Sequence, residues 1–455
     1  MARREAGEAS SSSVRVSGRI RKLRDHGGVL FLDLTDAGRT VQVVLDRERM
    51  DGAWGVLRAN LDSGDLVVVD GEWGVSRNGT ESVLARQLTM ASKALQPVPW
   101  DSFEDPEARL RKRSTDLLVH PGKLDLLKQR SLAMETVRDY LTDQGFREVE
   151  TPVLNTVHGG ASARPFKTFI NAYGMDLSLR IAPELYLKRL LVAGSGPIFE
   201  ISRNFRNEGA DATHNPEFTS LEAYLPYSDY MEMKRLTEEL IKQVAVELHG
   251  SAVLPLHDVR DPEAAPVLTD VSGPWPVVTV TDAVSRAVGQ DVSIHTDFET
   301  LLTIAADHGV EIGPGMGPGA VLEELYGELV EPQTIEPTFY CDFPLETSPL
   351  TAPHRSEEGL VERWDLVANG MELGTAYSEM TDPVEQRRRL TEQSLKAAAG
   401  DVEAMEVDED FLYALETGMP PAGGLGIGLN RLVMLMTDTT LRDVLSFPFV
   451  RPQKN

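Results

Sequence analysis

The stretch from Arg203 to Tyr224, RNFRNEGADATHNPEFTSLEAY, constrains this chain more than any other. Apolar residues alternate on both sides of it, at Phe199, Ile201 and Phe205 and again at Leu221, Ala223 and Leu225. Period-two alternation flanking a polar turn, here set by Gly209 and Asp211, predicts two antiparallel strands joined by a loop. The stretch holds two arginines, four carboxylates, one histidine and three aromatics. Such a hairpin can aim the Arg206 guanidinium at a phosphate, lay Phe218 flat on a purine, and let Glu208 accept from an exocyclic amine. The same residues equally describe a solvated charged hairpin, and the pattern alone leaves both readings open.

Residues 1–13 are small and polar, the composition of a disordered tail. Between 14 and 97, VRVSGRI, GGVLFLDLTD, TVQVVLD, DLVVVDGEW and SVLARQLTM predict five short strands, with a helix over Arg47–Asn60. Five strands and a closing helix outline an OB-fold barrel, an architecture used for single-stranded nucleic acids. Arg15, Arg19, Arg21, Lys22 and Arg24 place positive charge on and just after the first strand, where a phosphate backbone would land. A structural barrel with a solvated basic edge is the alternative. Residues 98–121 form a charged, proline-containing linker. From Leu126 to Gln144 an amphipathic helix puts Leu132, Ala133, Thr136, Val137, Tyr140 and Leu141 on one face, with Gly145 as its stop. Met231–Leu248 predicts a second such helix. The mixed segment from about 260 to 332 is read as an insertion, with helices near Val280–Val288 and Phe298–His308 and PGMGPGA as a flexible turn. Strands then return in PTFYCDFP and VERWDLVANGMELGTAYSEM, followed by a polar helix over Pro383–Ala399. Strands that pair with sequence neighbours, flanked by helices, place the chain in the α+β class.

Composition limits the function classes. With 455 residues the chain has material for one to three domains and a large core. A formal charge of −26 argues against a protein whose whole surface binds nucleic acid, while leaving room for a local basic patch. The single cysteine, Cys341, excludes an intrachain disulfide framework and a cysteine-based zinc cluster. No apolar run reaches membrane-spanning length and the first residues lack the apolar core of a signal peptide, so a cytoplasmic protein with no membrane part is expected.

Three ordered segments carry a resemblance. RNFRNEG followed by HNPEFT and E-x-Y resembles motif 2 of the class II aminoacyl-tRNA synthetases, in the form found in lysyl-tRNA synthetases. FREVETPVLNT, with Pro152, resembles motif 1, and GGLGIGLNRLVML, with Arg431, resembles motif 3, a strand entering a helix. RIAPELYLKRL and GGASARPF also fit the lysyl family, and the likeness runs from about Val14 to Pro452. Phe339–Leu390 looks especially like the synthetase half of actinobacterial two-part proteins that join such a module to a membrane lysyl-phosphatidylglycerol synthase. The resemblance implies an OB-fold anticodon-binding domain over 14–97 and a class II catalytic domain over 122–455, built on an antiparallel sheet. It also implies a homodimer formed through motif 1.

By that resemblance Arg206 and Arg431 are the catalytic arginines. ATP is held by Arg206, Glu208, His214, Asn215, Phe218, Glu372 and Arg431, and Mg²⁺ by Asp365 and Glu372. L-lysine is held by Gly160, Glu184, Arg206, Glu222, Tyr224, Thr375, Tyr377 and Glu379, with Glu184 on the α-ammonium and Glu379 with Tyr224 on the ε-ammonium. Arg24, Phe31 and Gln42 correspond to the residues that read the tRNA-Lys anticodon. The chain departs from the family at several points. Asp365 stands where glutamate is usual, Thr375 replaces an asparagine, Asn430 an aspartate, and Thr80 the glutamate of the strand 4–5 turn, which here falls one place later at Glu81. The implied activity is lysine–tRNA ligation. The alternative is a class II paralogue whose aminoacyl-adenylate serves a non-tRNA or specialised acceptor, such as a protein lysine ligase or a supplier for lipid lysylation.

Overall fold

The computed structural model describes residues 13–161, 163–210, 214–258, 264–398 and 405–452. Residues 1–12 of the expected tail and the Asp211 turn lie outside the described residues, and Ser13 belongs to the first strand. The chain divides into two compact units between Asp125 and Leu126.

The first unit contains a closed five-stranded barrel, made of β1 (Ser13–Asp25), β2 (Val29–Asp36), β3 (Arg39–Asp46), β4 (Leu66–Val75) and β5 (Glu81–Ser92), in the order β1-β2-β3-β5-β4. Alternation drives the closure: Val16, Ile20, Leu30, Leu32, Leu34, Val43, Leu45, Val67, Val69, Val83 and Ala85 all point inward and form one core. Gly71 sits at a register shift where β4 presses on β5. A Cβ there would lie 2.4 Å from the Leu84 carbonyl oxygen, so the bend requires glycine. The helix expected over Arg47–Asn60 is broken into Arg47–Met50 and Trp54–Asn60 around a 3₁₀ turn containing Gly52, a poor helix former. Met50 and Trp54 plug the barrel core.

The basic strip expected along β1 is partly neutralised within the barrel, at Arg15 and Arg24. Arg15 donates two hydrogen bonds to Asp70, at 2.7 and 2.9 Å, and Arg24 donates two to Asp33, at 2.7 and 2.9 Å. Arg19 donates to the Gly64 carbonyl at 2.7 Å. Residues 13–92 carry eleven basic and eleven acidic side chains, and residues 1–12 two of each, so the whole acidic surplus of the chain lies beyond the barrel. After the barrel, Asp116 ties down the short helices Pro106–Arg111 and Arg113–Val119. Burial alone would raise its carboxyl, but donors from Arg109, His120 and Lys123 hold it at about 2.

In the second unit the strands are β6 (Arg147–Glu148), β7 (Leu154–Asn155), β8 (Lys167–Ile170), β9 (Met175–Leu179), β10 (Ile198–Phe205), β11 (Glu217–Pro226), β12 (Val253–Leu256), β13 (Val267–Asp270), β14 (Val277–Thr279), β15 (Thr338–Pro344), β16 (Leu360–Ala368), β17 (Met371–Ser378) and β18 (Ala422–Gly428). Eight of them form one sheet in the order β14-β15-β16-β17-β18-β11-β10-β6, antiparallel except at its two edges, where β14–β15 and β10–β6 are parallel. Small sheets of β7, β8 and β9 and of β12 and β13 flank it.

One face of the large sheet is apolar. Phe199, Leu221, Ala223, Trp364, Leu366, Leu373, Ala376, Leu425 and Ile427 pack there against three helices. These are Gly122–Asp143, through Ala133, Val137 and Leu141; Tyr230–His249, through Met233, Leu236, Leu240 and Val244; and Leu429–Thr437. Tyr230–His249 starts where Asp229 accepts from the Met231 and Glu232 amides and ends at left-handed Gly250. The inserted segment holds the two expected helices, Val280–Val288 and Phe298–Asp307, and a third, Pro318–Leu329. That third helix begins inside the stretch expected to be a flexible turn. Pro318 occupies its first turn, where a missing amide costs nothing. Val321, Leu322, Leu325 and Tyr326 close the insertion's own core with Val280, Val284, Leu301 and Ile304.

Candidate active site

The other face of the large sheet is polar, and alternation sorts the two faces residue by residue. In β11, Leu221 and Ala223 point to the core while Ser220, Glu222 and Tyr224 take the opposite side. Glu222 stands opposite Gly426 and Tyr224 opposite Gly424, and from the far side of β18, Thr375 and Tyr377 meet the same two glycines. A Cβ on Gly424 would fall 1.7 Å from Glu379 Oε1 and 2.8 Å from Tyr224 Cε1, so only glycine admits that carboxylate. Nothing lies within 4 Å of a Cβ built on Gly426, which forms open floor. The result is a cavity of about 500 Å³. Gly160, Glu184, Arg206, Glu208, His214, Asn215, Phe218, Glu222, Tyr224, Glu372, Thr375, Tyr377, Glu379 and Arg431 all line it.

At one end the cavity is walled by buried acid. Glu184 opens the helix Glu184–Val192, Glu222 comes from β11, and Glu379 follows β17 directly. Gly160 closes this end in a left-handed conformation, φ +88°, its would-be Cβ 3.2 Å from that of Glu184. Lys188, fully buried behind the wall, brings its Nζ to 2.7 Å from Glu184 Oε1 and 2.5 Å from Glu379 Oε2. Its spacing from Glu184 puts both on one helix face, a signal present in the sequence, while Glu379 joins them only in the fold. Tyr224 donates to Glu222 at 3.1 Å. Burial raises the Glu222 carboxyl, and the Glu184 charge raises it further. Burial lifts Glu379 to about 8, against the pull of Lys188. Glu379 Oε1 has no hydrogen-bond donor among the described residues. Burial also raises the Tyr224 and Tyr377 hydroxyls, which stay protonated donors.

The other end carries positive charge. Arg206 follows β10, its guanidinium 5.1 Å from the centre of the Phe218 ring, and its Nε is buried without a partner among the described residues. Arg431, in the helix Leu429–Thr437, donates to the Glu372 carbonyl at 2.8 Å and approaches His214 at 3.5 Å. Asn215 donates to the Glu217 carbonyl at 2.6 Å, which shapes the loop before β11. Asn430 lies beneath Arg431 and accepts from Arg130 of the long helix at 2.9 Å.

Asp365 departs from expectation. It does not line the cavity: it is buried, and Arg363, two residues away on the same face of β16, donates to both its oxygens at 3.0 and 2.7 Å. As it stands, the expected pair of metal ligands is reduced to Glu372 at the cavity wall. Among the described residues no group of three His, Cys, Asp or Glu side chains is poised to hold a metal. A single carboxylate acting with substrate phosphates still suits Mg²⁺. Glu331, unremarked in the sequence, is raised to about 7 by burial and by the Glu372 and Asp365 charges.

Residues 105–451 match the family described as tRNA synthetases class II (D, K and N). The chain belongs to the class II aminoacyl-tRNA synthetases. Residues 14–91 match the OB-fold nucleic acid binding domain. Among curated relatives, the synthetase is 52% identical over 445 residues to the lysylphosphatidylglycerol biosynthesis bifunctional protein LysX of Nocardia farcinica, covering 97% of this chain and 39% of that protein. The proteins of the same name from Gordonia bronchialis and Mycobacterium marinum are 50% and 51% identical, covering 98% and 97% of this chain and 39% and 40% of theirs. The chain thus spans about two fifths of the length of these relatives. Among the described residues no helix is long and apolar enough to cross a membrane.

On the synthetase's barrel, Phe31 lies on the outer face of β2, with the His26 ring edge-on at 5.6 Å. Arg24 pairs with it across the strands but is held by Asp33. Gln42 accepts from Ser82 at 2.9 Å. Thr80 closes the β4–β5 turn through its backbone with Ser76, a role that leaves its side chain outside the turn's hydrogen bonds.

Proposed function

We propose that this synthetase activates L-lysine with ATP and transfers it to tRNA-Lys. The observation that carries the reading is the polarity of the cavity, with three buried carboxylates at one end and Arg206 and Arg431 toward the other. A substrate with two ammonium groups and one carboxylate, meeting a polyphosphate, complements that distribution. Glu184 takes the α-ammonium, with Glu222 and Gly160 beside it, and Glu379 with Tyr224 takes the ε-ammonium. Tyr377 walls the side chain and Thr375 lies near the substrate carboxylate.

Arg206 bridges that carboxylate and the α-phosphate. Its forked donors draw two anions together and stabilise the charge that builds up as a carboxylate oxygen attacks phosphorus and pyrophosphate leaves. Phe218 stacks on adenine, Glu208 accepts from its amine, His214 and Asn215 bind phosphate or ribose, and Arg431 covers the base and reaches the γ-phosphate. Glu372 is the carboxylate that would hold Mg²⁺, with Asp365 joining only if Arg363 releases it. When bound, the ion would supply positive charge to the phosphates. The barrel presents Phe31, Gln42 and Arg24 to the anticodon. Two copies pair through the long helix and β6, beside which Leu132, Val153 and Leu154 are exposed. The enzyme works in the cytoplasm, where ATP and tRNA are at hand.

A second reading concerns the product. The name of the LysX relatives favours lysyl groups destined for lipid rather than only for translation. Lysine-dependent ATP–pyrophosphate exchange followed by charging of tRNA-Lys transcripts tests the proposal. Brisk exchange with charged tRNA supports it. Exchange without charging replaces tRNA by another acceptor, and exchange with a different amino acid overturns the lysine assignment.

A further inference from the structure

The acidic end of the cavity contains more charge than a neutral amino acid could tolerate and less than its carboxylates alone would give. Glu184, Glu222 and Glu379 face one space. A fourth nearby acid, Glu200, is already answered by Arg180, which donates to it at 2.6 Å, and by the Thr151 hydroxyl at 2.7 Å. Among the described residues Glu222 has only the Tyr224 hydroxyl. Lys188 touches Glu184 and Glu379 at once and sends a third, longer contact of 3.4 Å to the Leu350 carbonyl. It has no exposed surface and does not reach the cavity, so it acts on a ligand only through the two acids.

We infer that Lys188 is a positioning residue that sets the charge of the amino-acid pocket, cancelling one of three carboxylates so that the remaining two match the two ammonium groups of a diamino acid. Arg206 answers the substrate carboxylate at the other end. Two unpartnered buried negative charges are costly enough that the empty pocket keeps a proton on Glu379 below about pH 8, and a ligand supplying both positive charges takes that proton's place. A ligand supplying one leaves half of that cost, which makes the charge count a selection rule for substrate class. Lys188 also fixes geometry. By holding Glu184 and Glu379 from behind, it turns their free edges toward the cavity, where Gly424 leaves room for Glu379. The inference rests on the lysine reading for the identity of the diamino acid, though not for the count itself.

The test is steady-state ATP–pyrophosphate exchange with wild-type protein, K188M, E379Q and K188M/E379Q. Without Lys188, three carboxylates cannot all ionise in one buried space even around a diamine, and Glu379 keeps the proton that lysine binding would otherwise release. K188M therefore raises the lysine KM by about 100-fold while the ATP KM stays within about twofold, the expected size for a buried pair losing its partner. Because Glu379 is then already neutral, adding E379Q changes the lysine KM by less than about threefold. A folded K188M with an unchanged lysine KM, or two substitutions whose effects multiply, would overturn the inference.

If K188M does not fold, the wild-type protein supplies the decision through inhibition by cadaverine, a diamine, and pentylamine, its monoamine counterpart. Cadaverine competing with lysine at least about tenfold more strongly supports the charge count, and equal inhibition overturns it. The two claims fail separately. Activation of another diamino acid instead of lysine defeats the lysine reading and leaves the count standing. Activation of lysine with no response to K188M does the reverse.

Discussion

The barrel and the synthetase sheet are both mainly antiparallel structures with an apolar face and a polar face, yet they treat charge in opposite ways. On the barrel, charges pair with one another near water: Arg15 with Asp70, Arg24 with Asp33, Arg58 with Asp25, and Glu72 with both Arg49 and Arg86. Beside the synthetase sheet, Glu184, Glu222 and Glu379 are buried around one cavity, and Lys188 pairs with Glu184 and Glu379. Exposed pairs contribute about 0–1 kcal/mol each and are forgiving of loss. Buried acids short of a partner hold a proton until a ligand brings the missing charge. The difference teaches where to look for the substrate, and it ranks the substitutions that would break the comparison.

The largest expected effect is at Arg206. Replacing it with alanine removes the donor between two anions and costs roughly 3–4 kcal/mol, a loss of more than about a hundredfold in exchange rate with the melting temperature preserved. Near-normal exchange in a folded R206A protein would remove Arg206 from the chemistry.

Next comes Glu379. E379Q keeps the shape but removes the charge, and costs about 3 kcal/mol in lysine binding with ATP binding intact. The raised carboxyl adds a pH signature. Below about pH 8 the empty pocket holds a proton on Glu379, and an ammonium binds the ionised form, so lysine binding releases a proton. The wild-type lysine KM therefore falls as pH rises from 6 to 8, while that of E379Q stays flat. Stability moves the other way. A carboxyl that binds its proton more tightly when folded adds stability that is complete below its ordinary value of 4.5 and gone above about 8. The ligand-free protein should therefore lose melting temperature across that window, and E379Q should lose less. G424A, whose new methyl would occupy the place of Glu379 Oε1, should raise the lysine KM at least about tenfold by displacing the same carboxylate. An unchanged KM would mean the carboxylate has room elsewhere.

The barrel should respond least. F31A should raise the KM for tRNA by the worth of one stacked base, about 1–3 kcal/mol, with no change in exchange. R24A should change tRNA binding by less than about 1 kcal/mol, because Asp33 already holds that guanidinium. If R24A proves as damaging as F31A in charging assays, Asp33 must release Arg24 to the nucleic acid and the contrast between the two regions weakens.

Much of this was legible from the sequence because it is written in local pattern. Alternation placed Glu222 and Tyr224 on the face opposite Leu221 and Ala223, and it outlined the barrel from Val16 to Ala85. What escaped depends on partners distant in sequence. Arg15 and Asp70, or Lys188 and Glu379, meet only once the chain has folded, so a strip that is positive in sequence is partly cancelled in space. Gly424 looks like any motif glycine until the Glu379 carboxylate is seen where its side chain would stand. Asp365 is a different case. Arg363 lies two residues away, on the same face of a strand, so their pairing was readable from period two alone. The helix Pro318–Leu329 hid behind Pro and Gly, which mark helix starts as readily as turns.

One measurement bears most directly on the claim that unbalanced buried charge selects the substrate. Titration calorimetry of wild-type protein with L-lysine and with L-norleucine, which has the same backbone and chain length but no ε-ammonium, compares the two charge states in one pocket. Loss of the group that pairs with a buried carboxylate should weaken binding by at least about 100-fold, with proton release seen for lysine and not for norleucine. Equal affinities for the two amino acids would contradict the claim.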